Sequence, residues 1–483
     1  MLSFRQFGIF LKEMKRHIRI VLIFLSPFCV SAQSSIFDSN LVGKSPNIFS
    51  SSFLNSLDTN NSIQVGSRYL ALNSFSSTDN NSSFYMFGLS LNANIREKFS
   101  VIALYDYLEG DYSSQIQQYQ DSLGVYYPGF GSDKNRLQFN FRYLANNFIV
   151  LDIGHGKQFV GSGYHSLLLS DVGSSYPYFK VSTSFGPVKY YNLYSTFINP
   201  DMLDFGRKKH AAIHYLDFAI TPNIHLGVFE SILWQSKSNE INRGYELAYL
   251  NPVIFYRPVE FSKKSDKGNA LMGANLNVEF HNFNLYGQLM LDDLNISRQR
   301  DRDSNYESGF FQNKYAFQIG LKRQVNGFSY VIEYNQVQPY TYGHRTILQN
   351  YSHMNQALAH PLGANFKELI NILNISKGRL NYKMKVMWAH VGLDSLNTHY
   401  GQNIFESDYE ASTGGQTSYG NFNGQGVLTK ILSFQPEVSF KLKHFDVFAS
   451  VYYKKLSSDL IDQNLIYFSI GFRNFPFSVF PNY

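Results

Sequence analysis

Polar and apolar residues alternate with period two in segment after segment of this chain. The polar set Arg136, Gln138, Asn140 and Arg142 interleaves with Leu137, Phe139, Phe141 and Tyr143. Gly273, Asn275, Asn277 and Glu279 interleave with Met272, Ala274, Leu276, Val278 and Phe280. The same holds for Lys314, Ala316, Gln318, Gly320 and Lys322 against Tyr315, Phe317, Ile319 and Leu321, and for Ser433, Gln435, Glu437, Ser439 and Lys441 against Leu432, Phe434, Val438, Phe440 and Leu442. Successive side chains of a strand point to opposite faces, so each run is a strand with one polar and one apolar face.

A one-sided soluble sheet shows that alternation too, and the connections separate the two cases. Short polar links fall at residues 96–98, 145–147, 186–187, 221–223, 281–282, 325–327, 376–378 and 442–444. Long ones fall between them at 109–135, 157–177, 235–267, 295–313, 337–364 and 392–430. Short and long links alternating along a chain describe a transmembrane β-barrel, with tight periplasmic turns at one end and long loops at the other. The tight hairpins, with an opening strand near 62–72 and a closing one near 465–472, predict an all-β fold. It is a single outer-membrane barrel of about eighteen antiparallel strands over residues 62–483, wide enough for an aqueous lumen unless loops fill it.

The N-terminal segment sets the expected compartment. Arg5, Lys12, Lys15, Arg16 and Arg19 precede an apolar run over residues 20–30 that ends in Ser31-Ala32, the pattern of a signal peptide (1–32) cleaved before Gln33. Met14 opens an equally complete signal. The single cysteine, Cys29, lies inside this leader behind the bulky Phe28, so a lipoprotein site is not expected and the mature chain carries no thiol. Disulfide scaffolds and thiol catalysis are thereby excluded. Residues 33–61 are Ser/Asn-rich and read as a periplasmic arm. The chain ends in aromatic residues, Phe477, Phe480 and Tyr483, interrupted by Pro476 and Pro481.

Composition agrees with a barrel. Without the leader, 37 basic side chains face 35 acidic ones, a balance that implies no nucleic-acid partner. No stretch after the leader is apolar for the roughly 18 residues of a membrane helix, so strands must do the spanning. The 35 Tyr and 43 Phe suit membrane interfaces and loops that meet sugars.

Three segments carry a resemblance. They are "DIGHGKQFVGSGYHSLLLS" at 152–170; "YELAYLNPVIFYRPVEF" from 245 with "GNA" and then "YGQLMLDD" at 286–293; and "YSHMNQALAHPLGANFKE" at 351–368. As a set they resemble the Wzi capsule-assembly family, including its RemB-type gliding-motility relatives, over most of the chain from about residue 61. Lys157 and Phe159 stand where the family pattern has an arginine and a tryptophan. The resemblance implies an eighteen-stranded outer-membrane barrel that binds surface polysaccharide or supports surface organisation without turnover. The residues it singles out are Gly154, Lys157, Gly161, Ser170, Glu230, Asn251, Pro252, Arg257, Glu260, Asn269, Gln288, His360, Pro361, Gly363, Asn365 and Glu368.

Arrangements that suggest catalysis lack the required spacing. Glycines 154, 156, 161 and 163 surround Lys157 without the order of a phosphate loop. Ser162, His165 and Ser166 form no nucleophile elbow, and His353 and His360 share no helix face for a metal. Glu230, Glu260, Asp292 and Glu368 are expected to be lumen carboxylates paired with Arg257, Lys157 or Arg142. No enzyme activity, cofactor or metal is predicted. Tyr112, Tyr126, Tyr127, Tyr400, Tyr409 and Tyr419, set among Gln, Asn, Asp, Ser and Gly in the loops at 108–131 and 392–430, are the candidate glycan contacts. The expected partners are outer-membrane lipid, surface polysaccharide and envelope or motility machinery. A diffusion channel is the alternative.

Overall fold

A computed structural model describes residues 62–111, 114, 135–200, 208–237, 244–252, 268–294, 309–395, 398–408 and 419–475. The leader, the 33–61 arm, the aromatic terminus, Tyr112, Tyr126, Tyr127, Arg257, Glu260 and Tyr409 lie outside them.

The strands are β1 (Ser62–Ser76), β2 (Ser82–Ile95), β3 (Phe99–Asp111), β4 (Asn135–Leu144), β5 (Ile149–Gly156), β6 (Tyr176–Phe185), β7 (Val188–Ile198), β8 (Lys208–Thr221), β9 (Ile224–Gln235), β10 (Asn269–Phe280), β11 (Phe283–Asp293), β12 (Lys314–Val325), β13 (Phe328–Val337), β14 (Ser352–His353), β15 (Gln356–Ala357), β16 (Phe366–Lys377), β17 (Leu380–Leu393), β18 (Val427–Lys441), β19 (Asp446–Ser457) and β20 (Asp462–Arg473). Apart from the small β14–β15 hairpin, they form one 18-stranded sheet, and antiparallel pairing of β20 with β1 closes it into a barrel. The predicted tight turns all join neighbouring strands. The other end is less uniform than the chain pattern suggested, because β1–β2 and β19–β20 also close in short links, at 77–81 and 458–461. Both flank the closing seam, where adjacent strands need only a hairpin.

The wall has the two faces that the alternation predicts. Leu137 (53% exposed), Ile153 (58%), Ile319 (55%) and Phe468 (49%) belong to a band of exposed apolar side chains that runs round the outside. A surface of that kind is compatible with lipid and not with water. The inner face carries Arg136, Asn140 and Arg142 on β4, Gln318 on β12, and Glu437 and Ser439 on β18. Apolar residues also reach the lumen. One cluster joins Leu193, Phe229, Leu271 and Val331 to Leu167–Leu169, Tyr342 and Leu358, which belong to loops and not to the wall.

Candidate functional site: a lumen plug and an outer strap

Among the described residues, two connections pack into the barrel through most of their length. The first, between β5 and β6, is pinched at its neck by Val160 and Leu169, whose backbones pair (Val160 N–H to Leu169 O, 2.9 Å). Gly161 sits at φ +125°, a backbone conformation that strains any L side chain, and a Cβ there would push against the Gln288 amide. Gln288 Oε1 accepts the Leu167 N–H (2.8 Å). Glu333 on β13 accepts the N–H groups of Tyr164 (2.5 Å) and His165 (3.0 Å) and the Tyr286 hydroxyl (2.8 Å). Gln318 Nε2 donates to His165 O (3.0 Å), Lys322 donates to Ser162 O, and Asn275 donates to the Ser162 hydroxyl (3.2 Å). Ser166 donates to Val160 O (2.5 Å) and accepts the Leu168 N–H (3.0 Å), so it shapes a turn and does not serve His165 as a nucleophile. The polar lumen face of β10–β13 thus satisfies the loop's backbone group by group, as burial requires.

The second connection runs from β13 to β16 and locks onto the first. Tyr342 and Tyr351 donate their hydroxyls to Leu167 O (2.8 Å) and Leu168 O (2.7 Å), and Ser170 N–H donates to Leu358 O (2.7 Å). Asp292 accepts the Tyr342 N–H (2.7 Å), Asn269 Nδ2 donates to Gln349 O (3.0 Å), and Lys209 Nζ donates to Asn350 O (2.7 Å). His360, Pro361, Leu362 and Gly363 form a turn closed by Gly363 N–H to His360 O (3.0 Å), with Gly363 at φ +73°. Asn365, itself at φ +56°, donates to Gly392 O (2.8 Å) and Gln425 O (3.0 Å) and accepts the Gly424 N–H (2.8 Å), tying in the β17–β18 connection. Deep in the plug, Asn335 Nδ2 bridges Glu333 (3.0 Å) and Glu368 (2.9 Å), and His360 Nε2 meets Glu368 at 2.9 Å. His353 lies apart, its Nδ1 accepting the Ile198 N–H (3.0 Å) and its Nε2 donating to Ser175 O (3.1 Å). Burial pushes it down to about 3.

The expected ion pairs rearrange. Arg142 pairs with Asp152 (2.8 Å), a carboxylate outside the four named above, and Asp152 also faces Lys180 (3.7 Å). Among the loop-anchoring carboxylates, Asp292 accepts the Tyr342 N–H, and Glu368 meets Asn335 and His360. Burial pushes the Lys157 ammonium down to about 8 against the pull of Asp171. Gly154 lies in β5, where a Cβ would fall 2.7 Å from the Tyr178 hydroxyl.

Glu230 is not a lumen residue. On β9 the inward positions are Phe229, Ser231 and Leu233, so Glu230, Ile232 and Trp234 face outward. Glu230 stands in register with His214, and His214 with Asn192, making a polar row across the outside of β7–β9. Each of the three is at most 5% exposed. Residues 244–252 lie along this outer wall as a strap. Trp234 Nε1 donates to Gly244 O (3.0 Å), the Tyr194 hydroxyl to Leu250 O (2.8 Å) and the Tyr190 hydroxyl to Pro252 O (2.5 Å). Asn251 and Pro252 therefore belong to the exterior, and Leu247 points outward at 84% exposure.

Of the candidate glycan contacts, Tyr400 and Tyr419 are described and half-buried. The Tyr400 carbonyl accepts from Gln425 Nε2 (2.8 Å), and the Tyr419 ring lies 5.4 Å from that of Phe310. Beside them Phe422 is 62% exposed among Asn421, Asn423 and Gln425. Nothing in the sequence marked Phe422, or the anchors Gln318, Glu333 and Asn335, apart from their places on the polar side of an alternating run.

The fold defines an outer-membrane-type β-barrel of eighteen strands. Among solved structures, the chain is similar to Wzi, an outer membrane protein involved in group 1 capsule assembly in Escherichia coli and described as a carbohydrate-binding β-barrel, with a TM-score of 0.54 and 14% identity over 86% of this chain and 85% of that one. It also aligns with the Pseudomonas aeruginosa proteins OprD (TM-score 0.45, 9% identity, 86% and 96% covered) and OpdK with vanillate (0.44, 9%, 85% and 98%). No family model matches the chain, and no curated protein matches it in sequence.

Proposed function

We propose that this chain, exported through the leader that ends at Ala32, is a non-enzymatic outer-membrane barrel that binds or organises a cell-surface polysaccharide at its loop-bearing end. The observation that carries this reading is the plug. Two loops fastened to the wall and to each other give the outer end a fixed platform, with Phe422, Tyr419 and Tyr400 set among side-chain amides. Flat rings for the apolar face of a pyranose and short polar groups for its hydroxyls are what such a ligand requires. The likeness to Wzi supports the barrel on which this platform stands.

The test is a clean in-frame deletion. Surface polysaccharide shed into the medium supports the reading. Retained polysaccharide together with lost colony spreading moves the role to surface motility, and no change in either overturns both.

One observation favours a diffusion channel as the second reading. On the β1–β6 side the lumen wall carries a charged ladder in which Arg68 (3.2 Å) and Arg136 (3.0 Å) meet Asp106, while Arg142 and Lys180 flank Asp152. A wall of both signs suits passage of polar solutes. Planar-bilayer recording decides: steady ohmic conductance from the intact protein supports the channel, and silence supports the plugged binder.

A further inference from the structure

Inside the plug, two stretches far apart in sequence bring His165 together with His360 and Glu368. Each offers one donor atom, and the three atoms lie within 4.8 Å of one another. His165 is 2% exposed, and His360 and Glu368 are fully buried. The imidazoles meet edge to face at 4.5 Å, and the Phe366 ring backs His360 at 4.4 Å. The wall fixes two of the three from behind: Glu333 and Gln318 hold the His165 backbone, and Asn335 holds the Glu368 carboxylate. We propose that this cluster is a binding site for a divalent ion of the zinc class, which staples the first plug loop, the second plug loop and the barrel wall together.

The donor set and spacing carry the argument. Two imidazoles and one carboxylate, with no thiol, suit a borderline cation, which binds them at about 2.0–2.2 Å and leaves a further position for water. Neighbouring donors on such an ion stand about 3 Å apart. His360 Nε2 and Glu368 are already at 2.9 Å, so His165 needs to close by at most about 2 Å. Leu362 N–H points at His360 Nδ1 from 3.3 Å, which leaves the ring proton on Nε2 for Glu368. An arriving ion takes the place of that proton. The proton moves to Nδ1, the long contact from Leu362 is given up, and no other group changes its protonation. The outer-loop histidine His399, which sits between Asp394 (3.3 Å) and Glu406 (3.5 Å), is the natural decoy for surface binding.

The experiment uses the folded full-length barrel in detergent, stripped with a chelator and titrated with Co2+ and then Zn2+. The expected result is one ion per barrel, a cobalt absorption band of a low-coordinate nitrogen and oxygen site, and a rise in the unfolding temperature. His360→Gln and His165→Gln should each weaken uptake at least tenfold, while His399→Gln leaves it unchanged. Uptake that follows His399, or is no greater in the folded barrel than in the heat-unfolded chain, overturns the proposal. Should the plug variants fail to fold, the comparison of folded with unfolded wild type still decides. The polysaccharide reading stands or falls separately, on the deletion strain.

Discussion

The plug and the strap are both non-strand backbone laid against the barrel wall, one inside and one outside, and they are held by different chemistry. Inside, the holders are Glu333, Lys322, Gln288 and Gln318, charged or amide groups from the polar face. Outside, they are the Tyr190 and Tyr194 hydroxyls and the Trp234 indole N–H. The requirement is the same, since peptide groups kept from water need partners. The lumen wall can supply carboxylates and ammonium groups, whereas a wall facing lipid can supply them only at high cost. Amphipathic rings provide a hydrogen bond at the tip and an apolar body elsewhere. The side of the wall therefore selects the residue type.

Perturbing each side in turn tests that contrast. The largest effect is expected from Glu333→Leu, which strands two plug N–H groups and the Tyr286 hydroxyl. The loss in plug seating, about 1–3 kcal/mol for each stranded group, should appear as new bilayer conductance and proteolysis within residues 157–175. Gly161→Ala follows at about 2–3 kcal/mol, because its Cβ collides with Gln288 at a left-handed backbone position; the same assays should show a weaker version of the same change. On the outside, Tyr190→Phe with Tyr194→Phe leaves two carbonyls unpaired, about 1–2 kcal/mol each. Protease should then reach residues 244–252 while conductance stays unchanged. Conductance appearing in that variant would mean that the two regions are one unit.

The smallest effect is acid loosening. Folded His353 takes a proton only near pH 3, whereas a released histidine takes one below about 6.5. Between those values the released state binds more protons, so plug stability is complete above about 6.5 and declines as the pH falls toward 3. The loss is roughly 1 kcal/mol at pH 5.5. His353→Gln should flatten the pH dependence of proteolysis.

Much of the barrel was legible in the chain because its code is local. Period-two alternation in 136–143 or 314–322 places each side chain on a face without reference to any other strand, and tight turns such as 186–187 count the strands. The site was less legible because its geometry is long-range. His165 and His360 are distant in sequence, and only the folded plug makes them neighbours. His353, set aside together with His360 at the sequence level, lies apart from it in the fold and bonds to Ile198 and Ser175. Glu230 misled for the opposite reason: a charged residue on a barrel strand is assigned to the lumen by default, and nothing in the alternation announces that the segment after β9 folds back to cover it on the outside.

That covered row bears on how the molecule reaches its membrane. Asn192, His214 and Glu230 would meet hydrocarbon if β7–β9 entered the bilayer bare. The strap follows β9 directly in the chain, so this three-strand stretch of the wall can acquire its cover from its own downstream neighbour without waiting for the seam to close. The expected consequence is that β7, β8, β9 and the strap enter the lipid as one preassembled patch.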